Sequence, residues 1–137
     1  MTEPVEYSPM LSANISVRDW QAKYANNLHE RLLHFSVITI EFLGTLPHQR
    51  EYEVLRSQLA KSATSIGANY EESQYATYRE FIAKLRIVMR EAVETQYWLK
   101  IINTMQIGDS TKRTWLVTEI SEIVKMFGAI LSKLKGD

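Results

Sequence analysis

The chain has no cysteine, which excludes disulfides, thiolate zinc sites, iron–sulfur clusters and thiol catalysis. Glycine and proline are scarce, at 5 and 3 residues of 137; a turn-rich all-β fold needs more, and their scarcity leaves long stretches free for helix. No charge predominates, since 16 Lys+Arg balance 16 Asp+Glu. A protein built mainly to coat nucleic acid is ordinarily strongly basic, whereas this one has a pI near 6.8. No apolar run reaches the ~18 residues of a membrane span, and the opening MTEPVEYSPM carries acids where a secretion signal carries positive charge. A cytoplasmic protein with no membrane partner is the expectation. What remains is ordinary for one globular domain: 45% hydrophobic and 23% charged residues.

Residues 1–16 hold two prolines and no apolar period, and read as an N-terminal arm ahead of a single domain at 17–137. The first helix is expected to begin near Ser16–Asp19 and to run to Leu43, with Leu28, Leu32, Phe35, Thr39 and Phe42 on one face and Gly44 and Pro47 as its stop. From His48 to Ile107 the chain has no proline and only Gly67, too long a stretch for one helix of a small domain. The break falls at Thr77-Tyr78-Arg79-Glu80, a T-x-x-E capping box. A second helix of about 49–75 then carries Tyr52, Leu55, Leu59, Ser62, Ile66, Asn69 and Ser73. A third of about 78–105 carries Phe81, Leu85, Val88, Ala92, Thr95, Leu99 and Ile102. Gly108-Asp109 separates it from a fourth, with Leu116, Ile120, Ile123, Phe127, Ile130 and Leu134. The spacing alternates three and four throughout, and no strand pattern competes. Four amphipathic helices with short links predict an all-α, up-down-up-down antiparallel four-helix bundle.

Such bundles can hold a di-metal site, which needs Glu-x-x-His from two helices. None of His29, His34 and His48 follows a glutamate by three. His29 and His34 are five apart, which sets them about 140° apart around a helix, too far to share a metal. The histidines are therefore expected at the surface or an interface, and no metal or cofactor is expected. Nor is there a Gly-rich phosphate loop or a nucleophile elbow. Glu91 and Glu94 are the one carboxylate pair that invites a catalytic reading, and pairing with Lys or Arg across a helix interface is the simpler one. Two features stand out. The stretch 61–70 places Ser62, Ser65 and Gly67 where a helix prefers bulk, as a tight helix crossing would require, with Asn69 in need of a hydrogen-bond partner. The third helix carries a second face as well: Ile87, Trp98, Ile101 and Met105 lie opposite the seam, beside a stripe of Arg79, Arg86 and Arg90 continued by Tyr97. A helix apolar on two faces is buried twice or used for association.

The segments KSATSIGANYEES, REFIAKL and REAVETQYWLKII resemble the "four helix bundle protein" family, also called the intervening-sequence protein family because some members are encoded in insertions within bacterial large-subunit ribosomal RNA genes. The resemblance covers about residues 27–107. It implies a bacterial, non-enzymatic helical protein assembled as a homopentamer around a central pore. An analogous pentameric bundle serves diversity-generating retroelements and binds nucleic acid through a basic surface, a pattern from which this chain departs by being neutral. Two functional readings follow. The first is an oligomeric scaffold or accessory protein whose interface uses Ile87, Trp98, Ile101 and Met105. The second is a nucleic-acid-binding accessory protein using Arg79, Arg86 and Arg90.

Overall fold

The structure, a computed structural model, describes residues 27–135. The expected arm at 1–16 and the stretch around Ser16–Asp19 lie outside the described residues. Within them the chain forms four α-helices and no strand: α1 (Leu28–Leu43), α2 (Glu53–Ser73), α3 (Tyr78–Met105) and α4 (Ser110–Lys135), with a short 3-10 turn at Arg50–Tyr52 leading into α2.

The helix ends follow from local chemistry. Asn27 is extended (φ −109°, ψ 102°) and its side-chain oxygen accepts the Glu30 N–H at 3.1 Å. An N-cap must leave helical geometry to do this, so the helix expected to run unbroken from Ser16–Asp19 instead begins at Leu28. The capping box at the start of α3 forms as its sequence requires. Thr77 N–H donates to Glu80 Oε1 at 2.9 Å, and Glu80 N–H donates back to Thr77 Oγ1 at 3.3 Å. Hydrogen bonding to the Thr77 backbone N–H first, and to its side chain second, holds the Glu80 carboxyl below its ordinary pKa.

The α3–α4 link is the most constrained. Gln106 is left-handed (φ 57°) and Gly108 has φ 81°, and a Cβ on Gly108 would lie 2.7 Å from the Phe42 ring. Glycine is required there for conformation and for space. Asp109 Oδ2 caps α4 by accepting the Lys112 N–H at 2.9 Å, while Asp109 N–H donates to Thr45 Oγ1 at 2.9 Å and ties this link to the end of α1. Arg113, buried in the first turn of α4, donates to the carbonyls of Ile107 and Gly108 at 2.9 and 3.0 Å. It thus supplies donors to link carbonyls, and it also reaches the end of α3 by donating to Asn103 Oδ1 at 3.3 Å and Gln106 Oε1 at 3.2 Å.

Each helix packs on its sequence neighbours, and α1 closes the ring against α4, the arrangement expected of an up-down-up-down bundle. The seam residues form the core: Leu32, Phe35 and Phe42 of α1, Leu59 and Ile66 of α2, Leu85, Val88, Leu99 and Ile102 of α3, and Leu116, Ile120, Ile123 and Phe127 of α4 are all buried. The α2–α3 crossing carries a buried Thr95 Oγ1 to Ser62 Oγ hydrogen bond of 2.8 Å, and Ala63 of α2 and Ala92 of α3 are fully buried. Small side chains let the two backbones approach, and each hydroxyl satisfies the other.

Candidate functional site

The stretch of small residues in α2 serves two crossings. Ser62 faces α3 through Thr95. Gly67 faces α1, where a Cβ would lie 3.5 Å from the Leu32 Cβ. Ser65 and Asn69 are only half-buried. Asn69 meets its need inside its own helix, Nδ2 donating to the Ser65 carbonyl at 2.9 Å, so it is not the cross-helix polar contact that its seam position suggested.

The histidines divide. His48 is exposed, and the partly exposed His29 donates through Nδ1 to the Glu71 carboxylate while its ring rests on Tyr70. His34 corrects the expectation of surface histidines. It is 1% exposed and edge-on to Trp115, with ring centroids 5.0 Å apart. Desolvation lowers its pKa to about 4, so it is neutral at pH 7. The reason lies in a second buried row, Glu30, His34 and Ile38 at spacing four, beside the main seam of α1. Between these rows Arg31 forks onto the buried Glu119 of α4, Nε and a terminal nitrogen reaching the two carboxylate oxygens at 2.6 and 3.0 Å. That hydrogen bonding raises the Arg31 pKa. Sequence reasoning missed this pair because charged residues 88 positions apart announce nothing about each other; the row of spacing four was the available signal. Glu91 and Glu94 do not form the expected salt bridges among the described residues. Glu94 instead accepts the Trp98 indole N–H at 3.1 Å.

The outer face of α3 carries the remaining candidates. Arg79, Arg86 and Arg90 are all exposed, and among the described residues none lies in an ion pair. Their spacing of seven and four puts them in one row, which continues through the exposed Val93 and Tyr97. The Tyr97 and Trp98 rings meet edge to face with centroids 5.6 Å apart. Trp98 and Ile101 are partly buried and pack against the core, Ile87 is partly buried, and Met105 is 46% exposed. The apolar residues expected to be surplus to the seam thus divide their surface between this bundle and its exterior. Among several surface concavities of the described residues, one follows α1 and α2, about 530 Å³ beside Leu33, Thr64 and Gly67 and a further 360 Å³ or so beside Ile40, Gly44 and Ala60; another, of about 570 Å³, lies beside Arg86 and Gly128.

No cluster of three or more potential metal ligands occurs among the described residues, and no helix among them is long and apolar enough to cross a membrane. The described residues form a four-helix bundle. Residues 27–129, spanning all of α1–α3 and most of α4, match the family model of the 23S rRNA-intervening sequence protein, and the chain belongs to that family. It is also similar to a crystal structure from Bacteroides thetaiotaomicron, a protein with unknown function from the S23 ribosomal protein family. The two are 32% identical with a TM-score of 0.66, over 75% of this chain and 96% of that one. A search of curated proteins returns no match.

Proposed function

We propose that the protein is a non-enzymatic bacterial accessory or scaffold protein of the cytoplasm that self-associates through the outer face of α3. The carrying observation is the exposure of Val93 and Tyr97, at 47% and 58%, along one row of the helix, and of Met105, at 46%, on the adjoining flank with the half-buried Ile87, Trp98 and Ile101. Fully burying a large apolar side chain is worth roughly 1.5–3 kcal/mol, so covering this row favours association. The family resemblance suggests five subunits. Sedimentation velocity tests the reading: the wild type should exceed monomer mass at micromolar concentration, and Tyr97→Glu with Met105→Glu should reduce that mass. Both positions are exposed, so the double variant keeps its fold. A monomeric wild type would overturn the proposal.

The alternative is nucleic-acid binding through Arg79, Arg86 and Arg90. It is favoured by three aligned guanidinium groups without carboxylate partners among the described residues, and by the ribosomal-protein family name of the Bacteroides relative. Repetition around a ring would multiply a weak field. Binding of an RNA oligonucleotide should then weaken by roughly 0.7–0.9 log units per neutralised phosphate for each log of salt; binding independent of salt would sink this reading.

A further inference from the structure

We infer that the outer ridge of α3 docks into the α1–α2 groove of a second copy of this chain, so that the subunits join head to tail. The inference rests on the proposed self-association and names the surface that receives the ridge. In the closed order of the bundle, α1 and α3 occupy opposite corners, each packed chiefly on α2 and α4. Their outward faces therefore point away from each other. A ridge and a groove on different sides of one subunit form a heterologous interface, the kind that can close into a ring.

The two surfaces match in shape. Arg86, Arg90, Val93 and Tyr97 follow the four-three spacing of one helical ridge. Opposite, the two parts of the groove share the same pair of helices. Leu33 and Ile40 lie two turns apart on its α1 side, and Ala60, Thr64 and Ala68 keep its α2 side low. A ridge at this spacing packs into the groove between two helices as a third helix would. Leu33 and Ile40 are 41% and 51% exposed, as Val93 and Tyr97 are on the ridge, so docking removes exposed apolar surface from both sides.

The two surfaces also match in charge. The ridge is cationic through Arg86, Arg90 and the exposed Lys100. The groove is edged by Glu53 and Glu71, whose side chains are 62% and 56% exposed; Arg56 and His29 also line it, but Arg56 is 20% exposed and engaged by Glu53 and the Leu46 and Pro47 carbonyls, and His29 is engaged by Glu71. Opposite potentials on two surfaces of one subunit favour head-to-tail contact and set its register.

The test uses two full-length variants at exposed positions and their mixture. Arg90→Glu with Tyr97→Glu disables the ridge; Leu33→Lys with Ile40→Lys disables the groove and repels the arginines. Each variant alone should sediment as a monomer and keep the helical circular dichroism of the wild type, with a melt lower only by the lost association. An equimolar mixture should give a dimer and nothing larger, because the intact ridge of the groove variant meets the intact groove of the ridge variant. A monomeric wild type overturns the inference together with the self-association on which it rests. If the wild type is oligomeric and the groove variant keeps the wild-type mass, self-association stands and this inference falls. That outcome also covers an α3–α3 contact or occupation of the groove by residues 1–26. If both variants keep the wild-type mass and the ridge variant alone loses binding to an RNA oligonucleotide, the ridge serves nucleic acid and the inference is wrong.

Discussion

The inner and outer faces of α3 repeat with the same four-three spacing and meet opposite environments. Leu85, Val88, Ala92, Thr95, Leu99 and Ile102 are buried, whereas Arg79, Ala83, Arg86, Arg90, Val93, Tyr97 and Lys100 are exposed. Periodicity therefore identifies faces without ranking them. Composition does the ranking: an unbroken run of apolar and small residues goes inward, and a row that mixes cations with Val93 and Tyr97 stays out. The contrast suggests that the inner face specifies the fold and the outer face what the fold meets.

The strongest way to break the contrast is on the inner side. Leu99→Ala should cost about 2–5 kcal/mol in urea denaturation, because Leu99 is 1% exposed and the truncation leaves a cavity. A loss below about 1 kcal/mol would show the core to be loosely packed there.

Histidine sharpens the same contrast through pH. Desolvation lowers His34 from 6.5 to about 4, so between these values the unfolded chain takes up a proton that the folded chain refuses. The contribution is intact above pH 6.5 and is lost as pH falls toward 4, at a cost on the order of 3 kcal/mol. His34→Gln should flatten the stability profile between pH 7 and pH 4.5. Glu80, whose pKa is lowered from 4.5 by its cap, also loses its contribution as pH falls, beginning only at the acid end of the window in which His34 acts.

Gly67 sits where the two kinds of surface meet. A Cβ there would find Leu32 at an ordinary 3.5 Å, so Gly67→Ala should stabilise by roughly 0.5–1 kcal/mol through helix propensity. Gly67→Leu should instead destabilise by about 1–3 kcal/mol through overpacking. Thermal melts of the pair must move in opposite directions if α1 and α2 approach as closely as described. Smallest of all, in the monomeric Leu33→Lys, Ile40→Lys background, Arg86→Ala with Arg90→Ala should shift stability by less than about 0.5 kcal/mol, since both side chains are solvated there. A larger loss would mean that the outer row holds the bundle together.

Much of the architecture was legible from local rules. The capping box at Thr77, the stop near Gly44, the Gly108-Asp109 link and the seam from Leu85 to Ile102 each depend on residues within a turn or two of one another. The start of α1 was misread because no apolar period marks Asn27 as a cap; its extended backbone and its bond to Glu30 do. The outer row was legible as a row, but its exposure was not. Trp98 and Ile101 read as surplus to the seam, yet both reach back to the core, because a large side chain at the edge of a stripe covers more than its angular position suggests.

Chain order and spacing determined the helices, their caps and the identity of the main seam, since each of those choices is settled by groups a few residues apart. Tertiary structure alone decided the burial of His34 against Trp115, the fork of Arg31 on Glu119, the reach of Arg113 to the end of α3 and the groove between α1 and α2. The physical reason is distance along the chain. Desolvation, ion pairing and groove shape depend on which side chains meet across helices, and that is fixed only when the four seams close on one another.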